Sequence, residues 1–486
     1  QGTSGTTALL MTPGGDVRHR AHVDVTVAYP RDGWVQQDAL ELWRSVQQCC
    51  DTVVRDSETA PVALGITNQR ETLVVFDRRT LEPVAPAIVW QDRRTADICQ
   101  EHRRRGEEPE LRRRTGLLLD PYFTATKIEW LLREDPSLQP RAARGELCAG
   151  TVDTWLLARM TNGEVVATDV SNASRTLLFD IGRGVFDDAL CEQFRVPPEL
   201  LPEVRGSAEQ VGTTSPDALC GLRLPVSGIA GDQQAALFGQ ACLDEGMSKN
   251  TYGTGSFVLT NVGGTAPDPG DGLLATIAWR IGGATTYALE GGIFVTGAGL
   301  RWLAGTGVID SPEEAGALFD SVSDAAGCFF VPALSGLGAP WWDPQARGAF
   351  VGLTGAVGRP HLVRAVVEAM AYRTRDVVEA MERASGIAFQ ELRVDGGAIT
   401  MDGLCQFQAD VLGIPVARSS SAEATAMGAA MLAAVGEGLT DVRSVAERWV
   451  PGRRFEPALA GTRPSQGYAL WLDALRRVRS QPGSLQ

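Results

Sequence analysis

Hydrophobic and polar positions along the 486-residue chain spell the same short grammar twice. Near the start, the small, hydroxyl-rich loop Gln1-Gly-Thr-Ser-Gly-Thr-Thr7 runs into the apolar Ala8-Leu-Leu-Met11. The turn residues Thr12-Pro-Gly-Gly-Asp16 follow, and then a stretch that alternates through Val23, Val25 and Val27. Period-two alternation around a Pro/Gly turn predicts strand–turn–strand. Much later, Tyr252-Gly-Thr-Gly-Ser256 leads into Phe257-Val-Leu-Thr260, a Gly263-Gly264 break, and strands over Leu274–Trp279 and Thr286–Leu289. Two matching hairpins, each headed by a Gly/Thr/Ser loop, predict a duplicated domain with the join near residue 240. The domains expected are therefore 1–240 and 241–486. Helical spacing of Val363, Val366, Val367 and Met370 predicts a helix over Leu362–Ala384. Ala424–Val435, rich in Ala and Met with Gly428 inside, predicts a buried helix packed closely on a sheet. Strands and helices mixed throughout give an α/β class. The Thr265–Gly272 segment is expected to be a loop or flap.

Composition narrows the partners. Hydrophobic residues make up 44% and charged residues 21%, and the net charge is −14. That sign argues against nucleic-acid or anionic-membrane surfaces. The runs Arg103–Arg105 and Arg112–Arg114 lie among glutamates in helix-like stretches, which predicts solvated faces. Nine scattered cysteines without a Cys-x-x-Cys point to a reducing compartment. No apolar run reaches the roughly 18 residues that span a bilayer, and no signal peptide precedes the first loop, so a cytoplasmic protein without membrane insertion is expected. The four histidines lack metal-ligand spacing, which argues against histidine catalysis and a zinc site.

The remaining candidates for chemistry are loops and strand ends. Gly/Thr/Ser loops cluster backbone N–H groups that suit phosphate oxygens; singly each reads more readily as a plain turn, and only their repetition favours phosphate binding. A third such place is Gly396-Gly397, after Leu392-Arg-Val394. No Walker A pattern occurs. Asn68-Gln-Arg70-Glu71 follows the apolar Val62–Ile66, so Arg70 and Glu71 reach one site only where that strand ends; there they could bind the hydroxyls of a polyol. Trp90-Gln-Asp92-Arg93-Arg94 ends Ala87–Val89 similarly and reads alternatively as a surface ion-pair cluster. Asp232, where Gly228–Gly231 gives way to a helix over Ala235–Gln240, is either a cap or a general base within reach of an attacking hydroxyl.

Several segments together resemble the glycerol kinases of the FGGY carbohydrate-kinase family. They are Gly65-Ile-Thr-Asn-Gln-Arg-Glu-Thr72, Ile88-Val-Trp-Gln-Asp-Arg-Arg-Thr95, Gly150-Thr-Val-Asp-Thr-Trp155, Ser171-Asn-Ala-Ser-Arg-Thr176, Gly228–Gln240, Lys249-Asn-Thr-Tyr-Gly-Thr-Gly255, Gly336–Pro340 and Arg393–Gly397. The resemblance runs in order from residue 1 to about 440. It implies two ribonuclease-H-like domains of the actin and hexokinase kind around a cleft. Carried over by position, Arg70, Glu71, Tyr122, Asp232 and Gln233 would bind glycerol, with Trp90 and Phe257 as the apolar wall and Asp232 as base. Thr3, Ser4, Gly5, Gly253, Thr254, Gly297, Arg301, Gly397 and Met401 match nucleotide-binding positions.

ATP and Mg²⁺ are the implied cofactors, Asp232 is the candidate for contact with the metal, and a homo-oligomer, dimer or tetramer, is implied. Arg301 and Met401 stand where the family usually has Gln and Asn, which alters the adenine contact, and Thr7 replaces an Arg. Arg223 matches an allosteric fructose-bisphosphate position without the Gly-rich loop before it, so that regulation is expected to fail. Pro457–Tyr468 does not match the segment that binds a sugar-transport regulator in some relatives. The resemblance also puts an apolar strand ending in a Mg²⁺-placing aspartate ahead of Gln1, beside the strand that ends near Arg70. A chain starting at Gln1 is therefore expected to bind glycerol better than it phosphorylates it. The alternatives are a kinase for another small polyol or ketose, or a catalytically weakened binding relative.

Overall fold

A computed structural model describes residues 1–270, 272–458, 463 and 466–480. Residue 271 of the predicted flap and residues 459–462 and 464–465 of the Pro457–Tyr468 segment lie outside the described residues.

In the first half, β1 (Gly5–Met11) and β2 (Val17–Asp24) form the predicted antiparallel hairpin, with Thr7 opposite His22. Gly15, at φ 97°, supplies the left-handed conformation that the turn needs. Helix α1 (Ala39–Arg55) is capped by the Asp38 carboxylate, which accepts from the Leu40 N–H. Its stripe Leu42, Trp43, Val46, Cys49 and Val53 follows helical spacing, is buried, and packs on β1 and β2. Strands β3 (Leu64–Asn68), β4 (Gly212–Thr213) and β5 (Pro225–Gly231) make a second sheet in the order β4-β5-β3, with β5 parallel to β3. Helix α2 (Asp232–Gly239) follows β5 without a break, three residues earlier than its predicted start.

The second half carries β6 (Ser248–Tyr252), β7 (Ser256–Asn261), β8 (Leu274–Ile281) and β9 (Ala284–Ile293), then α3 (Gly297–Gly305) and α4 (Arg359–Ser385). Strand β10 (Leu392–Gly396), β11 (Val416–Ser419), α5 (Ala424–Gly436) and β12 (Pro451–Phe455) follow. One sheet joins them in the order β8-β9-β7-β6-β10-β11-β12. The second hairpin therefore differs from the first. β7 pairs with β9, and β8, which comes between them in sequence, is displaced to the outer edge.

The two halves still correspond. β1–β2 and β7–β9 are antiparallel, β3–β5 and β10–β11 are parallel, and an antiparallel strand closes each far edge. In the second half β6 lies between, antiparallel to β7 and parallel to β10. In the first half the space between β1 and β3 is a cavity of about 220 Å³, lined by Leu9, Val46, Val53, Ile66, Leu156 and Ala429 among others. Gln1 sits at its end. The Gln1 amino group donates to the Thr67 carbonyl at 2.7 Å, and the Gln69 N–H donates to the Gln1 carbonyl at 2.7 Å.

The predicted Ala/Met-rich helix is α5, and the sheet it covers belongs to the first half. It packs on β3, β5 and α2, far from its neighbours in sequence. Glycines make this approach possible. A Cβ on Gly65 would lie 2.2 Å from the Ala429 carbonyl oxygen, and one on Gly428 would lie 1.9 Å from that of Ala235. Gly428→Ala is therefore expected to destabilise the protein by about 1–3 kcal/mol. The overlap is with backbone, so it outweighs the gain of up to about 1 kcal/mol in helix propensity. A denaturant melt as stable as that of the parent would contradict such close packing. Arg103–Arg105 and Arg113 are exposed as expected, with Arg103 paired to Glu108 and Arg113 to Glu110, whereas Arg112 and Arg114 are half-buried and Arg114 pairs with the buried Asp187.

Candidate active site

The first cluster forms where β3 ends. Glu71 adopts φ 60°, a left-handed conformation costly for a non-glycine residue, and the turn brings the Arg70 and Glu71 side chains to the same side. Behind it a buried polar lattice holds the strand end: Asn68 and Asn172 exchange side-chain hydrogen bonds at 3.0 and 3.1 Å. Asp169 accepts from the Asn172 amide at 2.9 Å, and Ser171 Oγ accepts from the Gly231 N–H at 2.9 Å. The Ser171–Thr176 motif thus fixes the backbone next to Asp232.

Arg70, fully buried, is the hub. Its Nε lies 3.2 Å from Asp232 Oδ1 and 3.8 Å from Glu71 Oε1. Its two terminal nitrogens grip Glu290 of β9 as a fork, with Nη2 donating to Oε1 at 3.2 Å. Arg175 closes the lattice, donating to Glu71 at 2.7 Å and Glu290 at 2.8 Å. A Cβ at Gly231 would stand 2.7 Å from the Arg70 stem, so glycine is required before Asp232 for the guanidinium to pass. Burial raises the Glu71 carboxyl against the pull of Arg70 and Arg175. Burial opposes ionisation of Glu290 too, but there Arg175 and Arg70 prevail and hold it at about 2.

Asp232 opens α2 as its first residue; Gly231 holds the capping position, and Asp232 Oδ1 accepts from the Gln233 N–H at 2.7 Å. One third of its side chain remains exposed. Desolvation raises its carboxyl, opposed by Arg70, the Gln233 N–H and Lys249. Around this centre, Phe257 lies under the Arg70 guanidinium, 5.8 Å from ring centroid to charge. Trp90 and Tyr122 meet edge to face at 5.7 Å, with Arg175 over Tyr122 at 5.9 Å. Gln233 accepts a hydrogen bond from Lys249. The seven polyol candidates therefore fall in one connected cluster. The Asp92–Arg94 pair next to Trp90 is a buried ion pair, while Arg93 reaches Asp120 at the surface.

The nucleotide candidates divide into two groups. In the second half, the hairpin between β6 and β7 leaves Gly253 and Thr254 exposed, closed by Gly253 N–H donating to the Gly255 carbonyl at 2.8 Å. The start of α3 is sewn to it: the Gly297 N–H donates to the Gly253 carbonyl and the Ala298 N–H to that of Thr254. Gly396, at φ 97°, lies so close to Tyr252 that a Cβ would sit 2.2 Å from its carbonyl oxygen, which leaves Gly397 exposed beside the hairpin. Arg301 is exposed on α3, and half-buried Met401 precedes the helix Asp402–Leu412. The first loop lies elsewhere. Thr3 Oγ1 accepts from Trp90 Nε1 at 2.8 Å, Ser4 is exposed and Gly5 begins β1. Among the described residues this loop makes no hydrogen bond to the Gly253 hairpin; it borders the polyol cluster instead.

Arg175, Glu290 and Lys249 escaped the sequence reading as site residues. Arg175 and Lys249 lie within segments noted for other reasons. Glu290, a lone charge in the apolar Leu289-Glu-Gly-Gly stretch, was the available signal. Among the described residues no group of three or more His, Cys, Asp or Glu has metal-site geometry, and all nine cysteines are free thiols. None of the described helices is long and apolar enough to cross a membrane.

A duplicated α/β fold that sets a glycine-lined backbone cradle beside a buried cluster of arginines and carboxylates is that of a two-domain small-molecule kinase. The chain belongs to the FGGY family of carbohydrate kinases, matching its N-terminal domain over residues 1–239 and its C-terminal domain over residues 248–437. It is 48% identical to a glycerol kinase of Geobacter sp. (strain M21), over 98% of this chain and 97% of that one. It is 46% identical to glycerol kinase 2 of Thermotoga maritima, with the same shares covered. Among solved structures, the glycerol kinase of Plasmodium falciparum with ADP is 32% identical with a TM-score of 0.93, over 99% of this chain and 97% of that one.

Proposed function

We propose that this chain transfers the terminal phosphoryl group of ATP to a terminal hydroxyl of glycerol, giving sn-glycerol 3-phosphate and ADP. The observation that carries this reading is Asp232, a carboxylate one third open to solvent and held against Arg70 within a lattice of fixed hydrogen-bonding groups. Kinship with glycerol kinases at 46–48% identity supports the choice of substrate. Asp232, with its carboxyl raised by burial, takes the proton from the attacking hydroxyl. Arg70 donates to, and Glu71 accepts from, the other hydroxyls, with Tyr122 and Gln233 completing the set. Phe257 and Trp90 pack the carbon edge.

The exposed backbone of Gly253, Thr254 and Gly397, with Gly297 tied to Gly253 beside it, suits the nucleotide, with Thr3, Ser4 and Gly5 on the other side and Arg301 and Met401 toward the adenine. Mg²⁺ fits as a partner of the triphosphate oxygens, because Asp232 offers a part-exposed carboxylate and this ion is commonly held by one or two carboxylates plus phosphates. When bound, it neutralises phosphate charge.

Leaving buried polar groups unpaired costs about 1–3 kcal/mol each, so the pocket should discriminate against missing hydroxyls. In a panel of glycerol, 1,2-propanediol, erythritol and xylulose, glycerol is expected to give the highest kcat/KM. The diol should fall at least about tenfold below it. A preference for xylulose would move the substrate reading to a five-carbon ketose.

A further inference from the structure

Lys249 is a fully buried lysine on β6 whose ammonium reaches across the two halves. It donates to Gln233 Oε1 on α2 and, at 2.9 Å, to Thr251 Oγ1. A lysine has donors and no acceptor at neutral pH, so its partner on Gln233 must be the carbonyl oxygen. The amide NH₂ is then turned the other way. Among the described residues Gln233 Nε2 has no protein partner, and it is not among the side-chain atoms sealed from solvent. We propose that Lys249 is a positioning residue for the polyol pocket: it fixes the Gln233 amide so that Nε2 faces the cleft as a hydrogen-bond donor to substrate. This rests on the reading that Gln233 contacts glycerol.

Without Lys249, the amide can turn over and present oxygen instead, exchanging a donor for an acceptor opposite a substrate hydroxyl. Burying the ammonium is costly, and it is tolerated here because carboxylates act on it. The charged groups that act on it are Asp395 on β10, Arg70 after β3, Asp232 on α2 and Glu290 on β9. Asp395 is the register partner of Thr251. Desolvation lowers the Lys249 ammonium to about 8, with the three carboxylates opposing and Arg70 assisting. The ammonium is therefore charged, and committed as a donor, below that pH and loses its charge as the pH rises through it.

A double-substitution cycle on the full chain tests this, using glycerol itself as the probe. Lys249→Met is expected to raise the KM for glycerol roughly tenfold, with the KM for ATP little changed. In a Gln233→Ala background the same substitution is expected to add less than about twofold, because the route to glycerol through the Gln233 amide is gone. A tenfold effect that persists without Gln233, or an equal effect on ATP, overturns the proposal. A second measurement needs no lysine variant. Glycerol binding by the parent is expected to weaken as pH rises from 7 to 9, and that of Gln233→Ala to stay flat; identical profiles overturn the proposal. A parent protein that binds no glycerol at pH 7 would instead reject the substrate reading itself.

Discussion

Asp232→Asn is expected to lower turnover with glycerol by roughly 10²–10⁴-fold while the KM for glycerol changes only a few-fold. The amide keeps the shape of the carboxylate at the first position of α2 and removes its capacity to take a proton. Its neighbours also allow a sharper reading. Burial places the Asp232 carboxyl above the usual carboxylate range, so the base form is populated only as pH rises through that raised value. Activity of the parent should therefore fall on acidification at a higher pH than an exposed aspartate would give, and the residual activity of the asparagine variant should lack that limb. Near-parental turnover of the folded variant would remove Asp232 from the chemistry and leave it as a residue that only orients Arg70.

Glu290→Gln should give the largest stability change. Glu290 accepts from both Arg70 and Arg175 and is wholly buried, so loss of its charge leaves two guanidiniums sharing Glu71 and the part-exposed Asp232. Breaking a buried pair from one side costs about 3–5 kcal/mol, because the remaining charge cannot return to water. An exposed pair gives the contrast. Arg443 and Glu447 form a surface pair one helical turn apart, with side chains 88% and 64% exposed, and Arg443→Ala should cost less than about 1 kcal/mol. Chemical denaturation of both variants separates the cases. If Glu290→Gln is as mild as Arg443→Ala, the lattice does not hold the two halves together at this point.

The local pattern carried much of this fold. Alternation over residues 8–27 predicted β1 and β2, and the spacing of Val363, Val366, Val367 and Met370 predicted α4, because both signals lie within a few residues of one another. What it could not carry were pairings set by distance. That β7 pairs with β9 and leaves β8 outside is a choice among three similar apolar strands, and nothing in their sequences ranks the partners. The packing of α5 on the first-half sheet joins Gly428 to Ala235, far apart in sequence, through backbone contact that no side-chain pattern reports. The candidate site divides in the same way. Arg70 and Glu71 were legible because a strand visibly ends there. Arg175 and Glu290 acquire their role only when separate segments meet, and Lys249 reads as an ordinary strand residue until Gln233 is seen opposite it.

The central claim is phosphoryl transfer from ATP to glycerol in this cleft, and direct product analysis tests it most simply. With ATP, Mg²⁺ and glycerol, the purified chain is expected to form ADP and glycerol 3-phosphate in equal amounts, and to form almost none of either when glycerol is withheld. Release of ADP and inorganic phosphate without phosphorylated glycerol, or transfer to another polyol in preference to glycerol, would contradict the account.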